Sequence, residues 1–139
     1  MDLAILPKVG PEALTGSTRL KAGTATKLVL NAVTTGAMIR TGRAYGNLMV
    51  DLVAAADKLR DRGERILMEV AGVDRDAARA AIAAADGKVK TAIVMLRCGV
   101  AKEEAEQLLE EHGGFVRKAV GAPPASPRPG AEEDDGGRR

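Results

Sequence analysis

Apolar residues recur at three- and four-residue spacing along most of this chain, and that spacing predicts a mainly helical protein. The helical spacing extends from residue 24 to residue 41. Between Leu28 and Ile39, only Asn31, Thr34 and Thr35 are polar. An amphipathic surface helix would carry more polar positions than this. We therefore predict a helix over residues 24–41 that is enclosed on most sides.

A longer amphipathic helix is predicted over residues 45–71, connecting residues 1–44 to residues 72–120. Its polar face is "DKLRDRGER" (57–65), which places Asp57 and Asp61, and Arg60 and Glu64, at helical spacing and should face solvent. Gly63 lies inside this stretch and should weaken the helix by up to ~1 kcal/mol relative to alanine. The predicted apolar face comprises Leu48, Leu52, Ala56, Leu59, Ile66 and Val70.

One short stretch has the character of a strand. Residues 2–6, "DLAIL", predict a short buried strand that Pro7 and the turn-forming "GPE" at 10–12 bring to an end. A lone strand leaves its backbone donors and acceptors without neighbours. Either these residues are irregular, or the strands that would pair with them lie outside this chain.

Residues 72–120 contain an internal repeat. "GVDRDAARAAIAAADGKVKTAI" (72–93) aligns without gaps to "GVAKEEAEQLLEEHGGFVRKAV" (99–120), and each copy predicts helix, glycine corner, valine, helix. Equivalent positions in the two copies should therefore behave alike: the corner glycines, the first buried valines, the alanines at close helix contacts and the core residues Ile82 and Leu109. The other three pairs are Gly87 and Gly114, Val89 and Val116, and Ala78 and Ala105.

Residues 121–139, "GAPPASPRPGAEEDDGGRR", have no apolar side chain larger than alanine. Such a segment buries too little area to offset its ordering entropy, so we predict a disordered tail.

Composition narrows the classes of function. Hydrophobic residues make up 45% and aromatic residues 1%, so the core must consist of small aliphatic side chains, and bases would find almost no stacking partners. The net charge of +2 is small, although residues 1–50 hold six Lys and Arg against two Asp and Glu. We expect no nucleic-acid partner, no membrane span and, because Cys98 is alone, no disulfide. A cytoplasmic location is the expectation.

The candidate chemistry lies in residues 15–24, "TGSTRLKAGT", at the start of the first predicted helix. Hydroxyls of Thr15, Ser17 and Thr18 can donate hydrogen bonds to a phosphate, and Arg19 and Lys21 supply positive charge. The same residues would also suit a plain N-capped helix start. Composition leaves both interpretations open. We find no nucleophile–base pair, no metal-ligand set and no cofactor motif, and we assign no catalytic or metal-binding residue.

The stretch "VGPEALTGSTRLKAGTATKLVLNAVTTGAMIRTGRAYGNLMVDL" resembles the N-acetylmuramic acid 6-phosphate etherases, a family related to the glucokinase regulatory protein. Its most specific parts are "GPE", "TGSTRLKAGTATKLVLN" and "YGNLMVD". The helical "GVDRDAARAAIAAADGKVKTAIVML" resembles the small domain at the end of that family, which is similar to ubiquitin-associated (UBA) domains. The resemblance covers roughly residues 2–120.

The resemblance implies a cytoplasmic, cofactor-free lyase that removes D-lactate from a sugar 6-phosphate and leaves N-acetylglucosamine 6-phosphate. It assigns Thr15, Ser17, Thr18, Arg19 and Lys21 to the phosphate end of the substrate site. It also implies that residues 1–44 are the end of an α/β sugar-isomerase (SIS) domain and that the full-length protein forms a homodimer. The family's preceding α/β half, with its two catalytic glutamates, has no counterpart in this sequence.

Two functions from different classes remain open. The chain is either the C-terminal part of an etherase, inactive without the α/β half, or a non-catalytic module that senses sugar phosphates or binds proteins. In both, residues 45–71 would be a connecting helix and residues 72–120 a UBA-like domain.

Overall fold

The computed structural model describes residues 3–124, so most of the predicted disordered tail lies outside the described residues. Six helices and one two-stranded sheet are present in this range, which confirms the mainly helical class. The chain divides into two compact units, the first extending to Thr41 and the second beginning at Gly42. The elements are α1 (Lys21–Arg40), β1 (Ala44–Tyr45), β2 (Leu48–Met49), α2 (Asp57–Ala71), α3 (Arg75–Ala84), α4 (Val89–Cys98), α5 (Lys102–Glu111) and α6 (Val116–Val120).

The strand predicted over residues 2–6 is wrong in its described part. Residues 3–6 have no regular structure, and Leu3 and Leu6 are about four-fifths exposed, at 79% and 82%. The reason is the one that makes any single strand unstable: no other strand among residues 3–41 offers backbone partners.

Helix α1 confirms the first predicted helix and begins three residues earlier than expected. Its predicted enclosure is wrong, because no residue of α1 is buried. Leu28, Leu30 and Val33 each expose more than half of their surface. The remaining described residues of this unit, 3–20, form no helix or strand that could cover an apolar helix 20 residues long.

The long helix predicted over 45–71 is shorter than expected, since α2 begins only at Asp57. Strands β1 and β2 precede it as an antiparallel hairpin in which Tyr45 faces Leu48. A two-residue connection with glycine in its first position favours this hairpin, and Gly46 has φ of 62°. Leu48 and Leu52 therefore do not belong to a helical face, although their spacing suggested one.

Within α2, Gly63 does not interrupt the helix. It is buried, and a Cβ atom added there would lie 2.9 Å from Val89 Cγ2 and 3.1 Å from Ile82 Cδ1. The missing side chain is what allows α2 to approach its neighbours closely.

The repeat prediction is confirmed at its glycine corners. Gly87 and Gly114 both have left-handed backbones, with φ of 80° and 78°. Their amides donate to equivalent carbonyls five residues earlier, Gly87 N to Ile82 O at 2.8 Å and Gly114 N to Leu109 O at 2.6 Å. Because L-residues reach this conformation only at a steric cost, glycine is required at each corner.

The burial pattern also agrees with the repeat. Val89 and Val116 are the first buried side chains after the corners, each with no exposed surface. The other predicted core pairs are likewise buried: Ala78 and Ala105, and Ile82 and Leu109. The two copies thus build one shared core in the second unit, together with residues of the hairpin and α2.

The stretch from residue 42 to residue 55 runs across both corners of the repeat. A Cβ atom on Gly42 would lie 3.0 Å from Gly114 O, in the second copy. Farther along, Ala54 N donates to Gly87 O at 2.8 Å and Val89 N donates to Leu52 O at 3.2 Å. This segment supplies backbone partners to the first corner, which the repeat alone does not satisfy.

Candidate functional site

The start of α1 is held by a carboxylate from nine residues upstream. Leu20 stands at the N-cap and makes no side-chain capping bond. Glu12 accepts instead, from Lys21 N to Oε2 at 3.0 Å and from Ala22 N to Oε1 at 2.9 Å. Free amides and a positive dipole end explain why a carboxylate is stable at this position. The helix-cap interpretation, which gave this role to the Ser and Thr hydroxyls, is therefore wrong about the capping group.

Only part of the predicted phosphate site is brought together by the first unit. Arg19 and Lys21 line one groove of about 640 Å³, whereas Thr15, Ser17 and Thr18 do not line it. Most of the groove lining is apolar, and these two side chains are its only cations. Its other lining residues are Val9, Leu20, Thr24, Ala25 and Leu28.

The positive charge at this groove has no ion-pair partner among residues 3–41. Lys21 Nζ donates to a carbonyl, Pro11 O, at 3.0 Å, and Arg19 has no hydrogen bond or ion pair with any described residue. Glu12 is the only acid in residues 3–41, and both of its oxygens accept from backbone amides. A groove with two unpaired cations favours a ligand with an anionic end.

Among the described residues of the second unit, one charged side chain is buried, and the sequence interpretation placed it wrongly on a solvated face. The Glu64 side chain is only 7% exposed, and it accepts from Arg75 Nη1 at 2.8 Å and from Arg79 Nε at 3.1 Å. Its helical-spacing neighbour Arg60 pairs with Asp57 instead. With both oxygens bound by guanidinium groups, Glu64 is suited to holding α2 against α3 rather than to proton transfer.

The shifted pKa values in the second unit have structural causes. Burial raises the pKa of Tyr45, against the opposing effect of Arg97 and Arg117. The hydrogen bond from Lys102 lowers the pKa of Asp86, and hydrogen bonds from Arg75 and Arg65 lower that of Asp61. The largest cause of each carboxylate shift is a hydrogen bond from a cation, which fits structural ion pairs.

The single histidine and the single cysteine of the sequence both lie at helix ends. His112 is the C-cap residue of α5, and Cys98 is exposed at the end of α4. Among residues 3–124, no three His, Cys, Asp or Glu side chains come close enough to hold a metal ion. None of the helices in this range is both long and apolar enough to cross a membrane.

Comparison with known proteins identifies the relatives of the chain. No protein-family model matches it. It is 52% identical over 121 residues to the N-acetylmuramic acid 6-phosphate etherase of Photobacterium profundum, which is 87% of this chain and 40% of that protein. The etherases of Mycolicibacterium smegmatis and Salinibacter ruber are each 54% identical, over 87% and 86% of this chain and 41% and 38% of theirs.

The chain is homologous to the C-terminal part of the N-acetylmuramic acid 6-phosphate etherases. The resemblance found in the sequence motifs is thereby confirmed. The chain spans about two-fifths of the length of the etherases it matches. The groove with Arg19 and Lys21 lies in the stretch whose motifs carried the resemblance.

Proposed function

We propose that this chain is the C-terminal part of an N-acetylmuramic acid 6-phosphate etherase and supplies the phosphate-binding end of its substrate site. The observation that carries the proposal is the identity of about 52% to etherases over 87% of the chain. The two unneutralised cations at the groove, Arg19 and Lys21, support it, because a sugar 6-phosphate carries its charge at one end. Thr15, Ser17 and Thr18 would complete that site.

The first unit, in this proposal, is the end of an SIS domain. A helix that is apolar on most sides belongs in a protein interior, and Leu28, Leu30 and Val33 are uncovered in α1. The etherases matched here are more than twice as long as this chain. A polypeptide equivalent to their preceding part would cover α1 and would give residues 3–6 the strand neighbours they lack. The assembled protein would be a cytoplasmic homodimer.

Residues 72–120, within the second unit, are proposed to be the UBA-like domain. They contribute most of the core of that unit, whereas the groove with Arg19 and Lys21 is lined by residues of the first unit. The connecting segment over residues 45–71 would then comprise the β1–β2 hairpin, residues 50–56, which run along the repeat, and helix α2.

Elimination of the lactyl ether requires a positioned base and a positioned acid. Among residues 3–41 the only acid is Glu12, whose oxygens are engaged by the backbone of α1. We therefore expect the 139-residue chain alone to release no D-lactate from N-acetylmuramic acid 6-phosphate. An assay coupled to D-lactate dehydrogenase tests this, and protein-dependent lactate release from the pure chain would contradict it.

The positive test is complementation. The preceding part of the Photobacterium etherase, co-expressed with this chain, should form a complex that releases D-lactate. In that complex Lys21→Ala and Arg19→Ala should each raise the KM by roughly ten- to a hundredfold, the worth of a charge-assisted hydrogen bond of roughly 1.5–3 kcal/mol. Lys27→Ala, on the same helix but outside the groove, is the matched control. A stable complex without lactate release would leave a non-catalytic sugar-phosphate sensor as the better proposal.

A further inference from the structure

Glu12, the only described acid of the first unit, binds backbone amides and forms no ion pair with the cations around it. Five cations lie in residues 3–41, yet the Glu12 carboxylate pairs with none of them. It reaches across the intervening residues 13–20 to the first two amides of α1 instead. Simple charge pairing therefore does not explain where this side chain lies.

The two hydrogen bonds close a loop. Residues 13–20 leave from Glu12 and return to Lys21, so the carboxylate ties both ends of the loop together. A second hydrogen bond joins the same two ends of the loop, from Lys21 Nζ to Pro11 O. Inside the loop, Ser17 N donates to Leu14 O at 3.1 Å, which makes one turn. Arg19 stands near the end of this loop and Lys21 just after it.

We propose that Glu12 is a positioning residue, which holds the 13–20 loop so that Arg19 and Lys21 both line the groove. Its carboxylate occupies the helix amides, and an anionic ligand is thereby directed to the two side chains and away from the start of α1. This inference rests on the proposed function, because it takes the ligand to be the phosphate of a sugar 6-phosphate.

The proposal opposes what charge alone predicts. Removing Glu12 makes the groove region more positive by one charge and frees two amides, so an electrostatic account expects tighter anion binding. A positioning role expects weaker binding, because the loop would sample many arrangements and binding would have to order it. The sign of the change therefore separates the two accounts.

The experiment measures binding of N-acetylglucosamine 6-phosphate to the 139-residue chain by amide NMR titration, with N-acetylglucosamine as the uncharged control ligand. Glu12→Ala should weaken binding by roughly three- to tenfold, the range expected when an ordinary hydrogen bond is lost. Glu12→Gln keeps one acceptor oxygen and should lie between Glu12→Ala and the unaltered chain. Glu110→Ala removes the same charge from the second unit and should leave the affinity unchanged.

A second measurement does not depend on the ligand. Hydrogen exchange of the Lys21 and Ala22 amides should become faster in Glu12→Ala and less so in Glu12→Gln, while amides of the second unit stay unchanged. Equal or tighter binding by Glu12→Ala, or unaltered exchange at these two amides, would overturn the positioning role. No binding of the phosphate by the unaltered chain would contradict the proposed function for the isolated chain, and the exchange rates would still decide whether Glu12 holds the loop.

Discussion

The two units of this chain are built from similar aliphatic residues but differ in what they bury. No residue in 3–41 is buried, whereas the second unit encloses 17 apolar residues in one core. Helix α1 exposes its leucines and valines, and α2, with a polar face, buries Ile66, Leu67 and Val70. Hydrophobicity by itself therefore does not produce burial. A segment also needs neighbours, and the second unit provides its own through the repeat.

The largest expected effect comes from separating the two units. Residues 42–124 alone should unfold cooperatively, with a Tm close to that of the same unit in the whole chain, because all 17 core residues belong to them. A peptide of residues 1–41 should show no cooperative unfolding transition, because none of its described residues is buried. Circular dichroism melts of both pieces test this. A cooperative melt of residues 1–41, or none for 42–124, would contradict the comparison.

The next effect contrasts two glycines inside helices. Gly63→Val in α2 should lower the free energy of unfolding of the second unit by about 1–3 kcal/mol, the usual cost of overpacking, because the added atoms meet Val89 and Ile82. Gly36→Val in α1 has nothing within 4 Å of the new Cβ and should be nearly neutral. Chemical denaturation of both variants measures the difference. Equal effects at the two positions would show that α1 is packed as tightly as α2.

A smaller effect tests the repeat within the second unit. Gly87→Ala and Gly114→Ala should each cost about 1–2 kcal/mol, because alanine at φ near 80° is strained in both corners. The two costs should agree within about 0.5 kcal/mol if the copies are equivalent. Denaturant midpoints of the two variants give the comparison, and Gly36→Ala, at a helix position with negative φ, serves as the control. A cost at one corner only would break the equivalence.

The smallest effect concerns acid stability. Because Asp86 has a lowered pKa, the folded state binds a proton there less readily than the unfolded state. Its contribution is thus complete above the ordinary pKa of an aspartate, about 4, and is lost as pH falls through the lowered value. Asp86→Asn should reduce the fall in Tm between pH 5 and pH 2 slightly, since this side chain is largely exposed. An unchanged acid profile would show that the ion pair with Lys102 adds nothing.

Lys102 gives the opposite dependence in the same pair. Its pKa is raised by the hydrogen bond to Asp86, so its contribution is present at neutral pH and is lost only as pH rises above about 10. Thermal melts at pH 7 and pH 11 on Lys102→Met should therefore differ less than melts of the unaltered chain. The first unit has no comparable ion pair among residues 3–41, and no such pH dependence is expected from it.

Local chemistry in the sequence determined the parts that depend on short-range rules. The spacing of apolar residues predicted α1, the two copies of the repeat predicted both glycine corners, and the motif around "TGSTRLKAGT" predicted the family. Each of these depends on backbone geometry or on side chains close in sequence. Gly87 and Gly114 could be placed because a left-handed corner excludes other residues wherever it occurs.

Only the tertiary structure decided which surfaces are covered and which distant groups meet. The sequence pattern assigned Leu48 and Leu52 to a helix. Backbone hydrogen bonds from Val50 N to Arg43 O and from Ala54 N to Gly87 O instead hold this stretch as a hairpin and a segment that runs along the repeat. The sequence pattern placed Glu64 on the surface, whereas in the structure it is buried and paired with Arg75 and Arg79 of the next helix. Glu12 reaches amides nine and ten residues away, and α1 stays uncovered because residues 3–20 form no helix or strand that could pack on it. Burial and capping depend on contacts between residues that are distant in sequence, and the local spacing of apolar and polar residues does not specify those contacts.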